Sequence, residues 1–165
     1  MTPELSTAEL SRVVSVDRLP AGLVIEATPA ECAALAGRLH IAEVRALTCR
    51  WVLRRQGVIV EAQGALEADV VQSCVVSLEP VEQHVSDRFV VRFVPEGADG
   101  EDGDPDAPDE LPYRGSSIDL GEAASEQLAL ALDPYPRRGD AELDPAALDP
   151  GGGVFGGLAA LRREP

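Results

Sequence analysis

Gln72-Ser73-Cys74-Val75-Val76-Ser77-Leu78-Glu79-Pro80 is a polar and thiol start, a short β-branched run, and a proline-bounded end. β-Branched residues favour strand, and proline cannot donate to a β-ladder, so the stretch predicts a strand that stops at a corner on Pro80. Upstream, Val70–Val76 is nearly continuous apolar, as expected of a central strand. Gly57–Ala68 predicts a further strand, in which Gly64 marks a bulge or a close approach. In Ala46–Arg55 the period is two: Cys49, Trp51 and Leu53 take one face, and Thr48, Arg50, Val52 and Arg54 the other. Downstream, Phe89, Val91 and Phe93 alternate in the same way with Arg88, Val90 and Arg92. About four strands with short connections predict an antiparallel sheet, flat or curled into a partial barrel.

Two helices are expected on it. Thr28-Pro29-Ala30-Glu31 opens the first: Thr28 caps, Pro29 fits the first helical position, and Glu31 can close a capping box. Leu35 and Leu39 then share a face with Cys32 and Ala36. The second follows Asp119, with Glu122 placed to complete another box, and Leu120, Ala124, Leu128 and Leu132 recur on one side until Asp133-Pro134. Near the start, Val13–Val16 and Leu23–Ala27 flank Pro20-Ala21-Gly22 and predict a hairpin. Glu4–Leu10 is helical in composition but too short to be stable alone. The fold class is therefore α+β: one domain over 1–165, with a mobile acidic insert at 95–113 and an irregular tail at 135–165.

The formal net charge of -15 disfavours non-specific nucleic-acid binding and suits a basic partner. Every Lys/Arg position is Arg, which a GC-rich coding sequence explains better than function does. Cys32, Cys49 and Cys74 are too far apart for paired zinc or disulfide spacing, so they read as reduced, packed thiols and no metal is assigned. No stretch approaches the ~20 apolar residues of a spanning helix, and MTPELSTAEL does not read as a signal peptide. Cytoplasm is the expected compartment, and no cofactor is expected.

Arg50, Arg54, Arg88 and Arg92 share the polar faces of their strands and form a candidate contact stripe for RNA or another partner. The alternative is a solvated face whose arginines pair with Glu61, Glu67, Glu82 and Asp87. Stacking aromatics are not interleaved with them, so the surface does not resemble an RNA-recognition sheet. Pro95–Tyr113 gathers Glu96, Asp99, Glu101, Asp102, Asp104, Asp106, Asp109 and Glu110 without a base, which predicts a mobile acidic loop able to engage a basic protein tail. Its spacing does not meet an EF-hand pattern. Val154, Phe155, Leu158 and Leu161 give the tail an apolar stripe, for a partner or for the chain's own sheet. Only His40 and His84 offer imidazole bases, and neither belongs to a recognisable catalytic constellation.

The order of these parts resembles the YceD family, the large ribosomal RNA subunit accumulation proteins, in the form seen in alphaproteobacteria. The resemblance rests on the helix opening at Thr28 and running into Leu39-His40-Ile41, the strand with Cys49, and the motif Gln72, Ser73, Cys74, Leu78, Glu79, Pro80. It continues through the acidic insert, the Ile118-Asp119-Leu120-Gly121-Glu122 helix start and the Val154-Phe155-Gly156-Gly157-Leu158 ending. Many relatives carry further cysteines near the motif that look like a metal site; this chain does not. What the resemblance implies is a non-enzymatic role in accumulation of 23S rRNA and assembly of the large subunit. The implied partner is a large-subunit ribosomal precursor, met through a basic ribosomal protein or through 23S rRNA. A metal-dependent RNA-processing enzyme and a structural subunit of another complex are the alternatives.

Overall fold

The structure, a computed structural model, describes residues 9–98 and 107–142. Seven strands and two helices follow in the order β1 (Val13–Ser15), β2 (Gly22–Glu26), α1 (Pro29–Leu39), β3 (Glu43–Gln56), β4 (Ile59–Ser73), β5 (Pro80–Pro95), β6 (Asp109–Tyr113), β7 (Ser117–Asp119) and α2 (Leu120–Ala131). A five-stranded sheet has the order β2-β3-β4-β5-β6, and β1 pairs with β7 as a separate ribbon. The class is α+β, as expected, with an open sheet. Its pairs are antiparallel except β5–β6, which is parallel.

Alternation sets the two faces of this sheet. Leu47, Cys49, Trp51 and Leu53 of β3, Val60, Ala62, Leu66 and Ala68 of β4, and Val85, Val91 and Phe93 of β5 are buried on the inner face. Both helices pack on that side, α1 against β3 and α2 against β4 and β5. Cys32, Leu35 and Ala36 of α1 and Leu120, Ala124 and Leu128 of α2 supply the facing layer. The Thr28 box closes in both directions, Thr28 Oγ1 accepting from Glu31 N–H and Glu31 Oε2 from Thr28 N–H. Gly64 lies on the inner face between Trp51 and Phe89 in an unbroken register, so it is a close approach and not a bulge. A Cβ there would run into the Phe89 ring, which stands edge-on to Trp51 at 5.3 Å. The register instead shifts between Val44 and Ala46.

Several local expectations are corrected. The hairpin of Val13–Val16 with Leu23–Ala27 does not form. Ser15 caps a 3-10 turn at Val16–Arg18, which turns the chain away, and β2 instead joins β3, where Ile25 opposite Cys49 reaches the core. Gly57–Ala68 and Val70–Val76 are not two strands. Nothing breaks the chain at Asp69, which stays in register opposite His84, and β4 runs through to Ser73. Pro80 does not end that strand; it opens β5 opposite Ser73, a position where the missing N–H is tolerated. The second capping box does not close either. Asp119 Oδ1 accepts from the Gly121 and Glu122 N–H groups, but the Glu122 carboxylate is drawn to Arg38 at 2.6 Å.

Asp109–Tyr113, expected within the mobile acidic insert, is a strand on the β5 edge, with Tyr113 Oη donating to Val58 O at 2.5 Å. Asp99, Glu101, Asp102, Asp104 and Asp106 lie outside the described residues, as do Glu4 and the tail from 143 onward. Residues 132–142 carry no helix or strand. Around α2, Asp119 also accepts from Arg12 N–H at 2.8 Å and Ser11 Oγ at 2.5 Å, so the segment entering β1 is tied to the helix cap. That crossing explains Gly121: a Cβ there would lie 2.8 Å from Leu10 O and Arg12 N.

Candidate functional site

Two regions of the sequence reading acquire definite geometry: the outer face of the sheet and the corner after β4. On the outer face, Arg50 lies opposite Ala65, which lies opposite Arg88. Two interstrand spacings therefore separate the two arginine backbones, ~10 Å. The next row is Val52, Gln63 and Val90; the one after is Arg54, Glu61, Arg92 and Glu110. Val24 of β2 extends the Arg50 row to the sheet's other edge. The structure thus brings all four predicted arginines onto one face, one strand apart rather than on neighbouring strands. The inner positions of Phe89 and Phe93 were legible from the alternation.

None of the acids expected to neutralise these arginines, Glu61, Glu67, Glu82 and Asp87, forms an ion pair with them. Glu82 pairs with Arg45 at 2.7 Å, and Glu61 accepts from Gln63 at 3.4 Å. Arg92 meets Glu110 at 3.3 Å. Among the described residues, Arg50, Arg54 and Arg88 have no carboxylate within ion-pair distance. Three exposed valines, Val24, Val52 and Val90, stand beside them. A shallow depression of about 410 Å³ runs between Arg50 and Arg88, lined by Val52, Gln63, Ala65 and Val90. Toward the other end the face turns acidic, with Glu26, Glu67, Asp69 and Glu82, and Asp69 bonded to His84 at 2.7 Å. One half of the face is cationic and apolar, the other anionic.

The motif forms the corner. Cys74 N–H donates to Glu79 O and Leu78 N–H to Cys74 O, closing a tight turn between β4 and β5. Cys74 is fully buried, and its sulfur faces Ser77, whose N–H lies 3.5 Å away. The Ser77 side chain, then its backbone N–H, pull the thiol down to about 6. Burial acts oppositely on the other two thiols, raising Cys32 and pushing Cys49 up to about 12. Leu78 has φ 61, a left-handed conformation that costs a leucine ~1–2 kcal/mol.

Sequence reasoning missed what this corner touches. Gln72 Nε2 donates to Asp133 O at 3.0 Å, Val75 N–H to Pro136 O at 2.9 Å, and Arg138 pairs with Glu79 at 2.8 Å. The segment after α2 is thereby fastened to the motif. The one hint in the sequence was that both stretches are proline-bounded, at Pro80 and at Pro134 and Pro136. No three His, Cys, Asp or Glu side chains among the described residues converge as a metal ligand set. No helix among them is long and apolar enough to cross a membrane.

What the fold and the outer face define is a helix-backed open sheet that presents a charged, partly apolar surface. A family model described as "Large ribosomal RNA subunit accumulation protein YceD" matches residues 62–154, more than half of the chain. The chain belongs to the YceD family, whose description ties it to accumulation of large-subunit ribosomal RNA. The match covers the corner motif, Arg88, Arg92 and α2, while Arg50 and Arg54 lie before it. No curated protein and no solved structure matches the chain.

Proposed function

We propose that this protein is a binding factor in large-subunit assembly that works without catalysing a reaction, and that the cationic half of its outer sheet face contacts the rRNA of a large-subunit precursor. The observation that carries this reading is the set Arg50, Arg54 and Arg88, exposed on one face of the sheet, opposite the helices, without an acidic partner among the described residues. Guanidinium groups are strong bidentate donors to phosphate. The apolar residues exposed among them, Val24, Val52 and Val90, are aliphatic and do not supply an aromatic platform for base stacking. Because the whole molecule is acidic, contact is confined to this patch, which opposes indiscriminate binding.

The test is crosslinking of the purified protein to large-subunit precursor particles. Arg50→Glu with Arg88→Glu should abolish the rRNA crosslink while the folded signal of Trp51 is kept. Undiminished crosslinking by that variant would dismiss the face. A second reading is favoured by the charge balance of the chain: a basic ribosomal protein held by the acidic segment Glu96–Glu110. Shortening that segment should then weaken capture of the ribosomal protein and leave the rRNA crosslink intact.

A further inference from the structure

The corner of the motif has a feature that neither its turn geometry nor rRNA contact explains. Leu78 is 79% exposed while held in a left-handed conformation that glycine or asparagine would occupy more readily. Two more large apolar side chains are exposed on the segments clamped there: Val75, and Tyr135 beside Pro136. A leucine that gains no burial and bears an unfavourable φ is unaccounted for by the stability of the turn. The polar surround is acidic. Glu79, Asp133 and Asp140 are exposed around it, and Arg138 is taken up by Glu79 and Asp140 at 2.8 and 3.0 Å, leaving Arg137 as an exposed base on this segment.

We infer that this corner is the docking site of the chain's own residues 154–163. That segment offers Val154, Phe155, Leu158 and Leu161, spaced to share one side, followed by Arg162 and Arg163. Apolar side chains would cover Val75, Leu78 and Tyr135, and the arginines would meet Asp133, the exposed carboxylate there that Arg138 does not hold. The cationic half of the outer face has exposed valines too, but Arg50, Arg54 and Arg88 there repel Arg162 and Arg163. Reach is sufficient. Glu142 lies two residues beyond Asp140, and the dozen residues from it to Val154 span up to ~40 Å when extended. The segment lies almost wholly beyond the family match, which ends at Val154, and the inference is independent of the rRNA contact proposed above.

The test places a photoreactive residue in the full chain, Tyr135→p-benzoylphenylalanine, and maps its crosslinks by mass spectrometry. The expected product is an intramolecular crosslink to residues 154–163 in the monomer. Phe155→Ser with Leu158→Ser should reduce its yield about five-fold or more, the scale of losing a buried apolar side chain. Leu78→Asn, which suits the left-handed conformation, should lower the yield similarly while thermal stability is kept or raised. Absence of the crosslink, or its appearance only between two copies, would overturn the inference, as would a yield indifferent to all three substitutions.

Discussion

Gly64→Ala tests how the inner face of the sheet is packed. The Phe89 ring lies over Gly64 and meets Trp51 edge-on, with centroids 5.3 Å apart and planes at 82°. A methyl group at position 64 must expel that ring, because the added Cβ would overlap three of its carbons. Loss of the aromatic pair costs ~0.5–1.5 kcal/mol. Strain from forcing an extra carbon into a packed layer adds ~1–3 kcal/mol. The substitution should therefore destabilise by ~2–4 kcal/mol, read from urea denaturation. Trp51 is the sole tryptophan, so its fluorescence reports the same site. The decisive arm is the double variant. In a Phe89→Ala background the space is vacant, and Gly64→Ala should be within ~0.5 kcal/mol of neutral, a coupling of about 2 kcal/mol or more. Equal cost in both backgrounds would refute the argument that Gly64 exists to seat Phe89.

Two further predictions concern the tie between the N-terminal segment and the helices. Glu31 is held down to about 2, from an ordinary 4.5, first by the Arg12 side chain and then by the Thr28 cap. A depressed carboxylate contributes stability above its unfolded value and loses it as pH falls through the folded one. The advantage of the native chain over Glu31→Gln should thus be full above pH 4.5 and vanish by about pH 2. Its size should be ~1–2 kcal/mol after solvent screening of a partly exposed pair, measured as urea midpoints across pH. Asp119→Ala removes a cap that also holds Ser11 and Arg12, and should cost ~2–4 kcal/mol by thermal unfolding, with Asp119→Asn recovering part of the loss.

Much of the layout was legible because alternation in β3 and β5 is strict. The same pattern that buries Cys49, Trp51 and Leu53 forces Arg50, Val52 and Arg54 outward, and Thr28-Pro29-Ala30-Glu31 specifies a helix start by local chemistry alone. Tertiary competition hid the rest. β1 and β2 have the local chemistry of a hairpin, yet each finds a better partner more than 20 residues away in sequence. Asp119 and Glu122 match a capping box, but a nearby Arg38 outbids the backbone N–H for the Glu122 carboxylate. Pro80 announces a strand boundary without saying on which side the strand lies. The candidate site shows the same division. Which face the arginines occupy follows from period two. Their lack of acidic partners among the described residues is a matter of side-chain placement that no local pattern encodes: Glu61 stands in the row of Arg54 and Arg92 yet pairs with neither.

The central claim is that the cationic half-face serves large-subunit rRNA. Its most direct test is a depletion strain complemented with the native chain or with Arg50→Glu and Arg88→Glu together, with 23S rRNA quantified against 16S. In parallel, binding of the purified proteins to large-subunit precursor rRNA is followed across salt concentration. Three arginines without an ion pair among the described residues correspond to a log–log salt slope of about −2 to −3, which the double substitution should reduce in magnitude by about 1.5 or more. The account predicts that the native chain restores the 23S:16S ratio while the stably folded variant does not. Full restoration by the variant, with an unchanged salt slope, would contradict it.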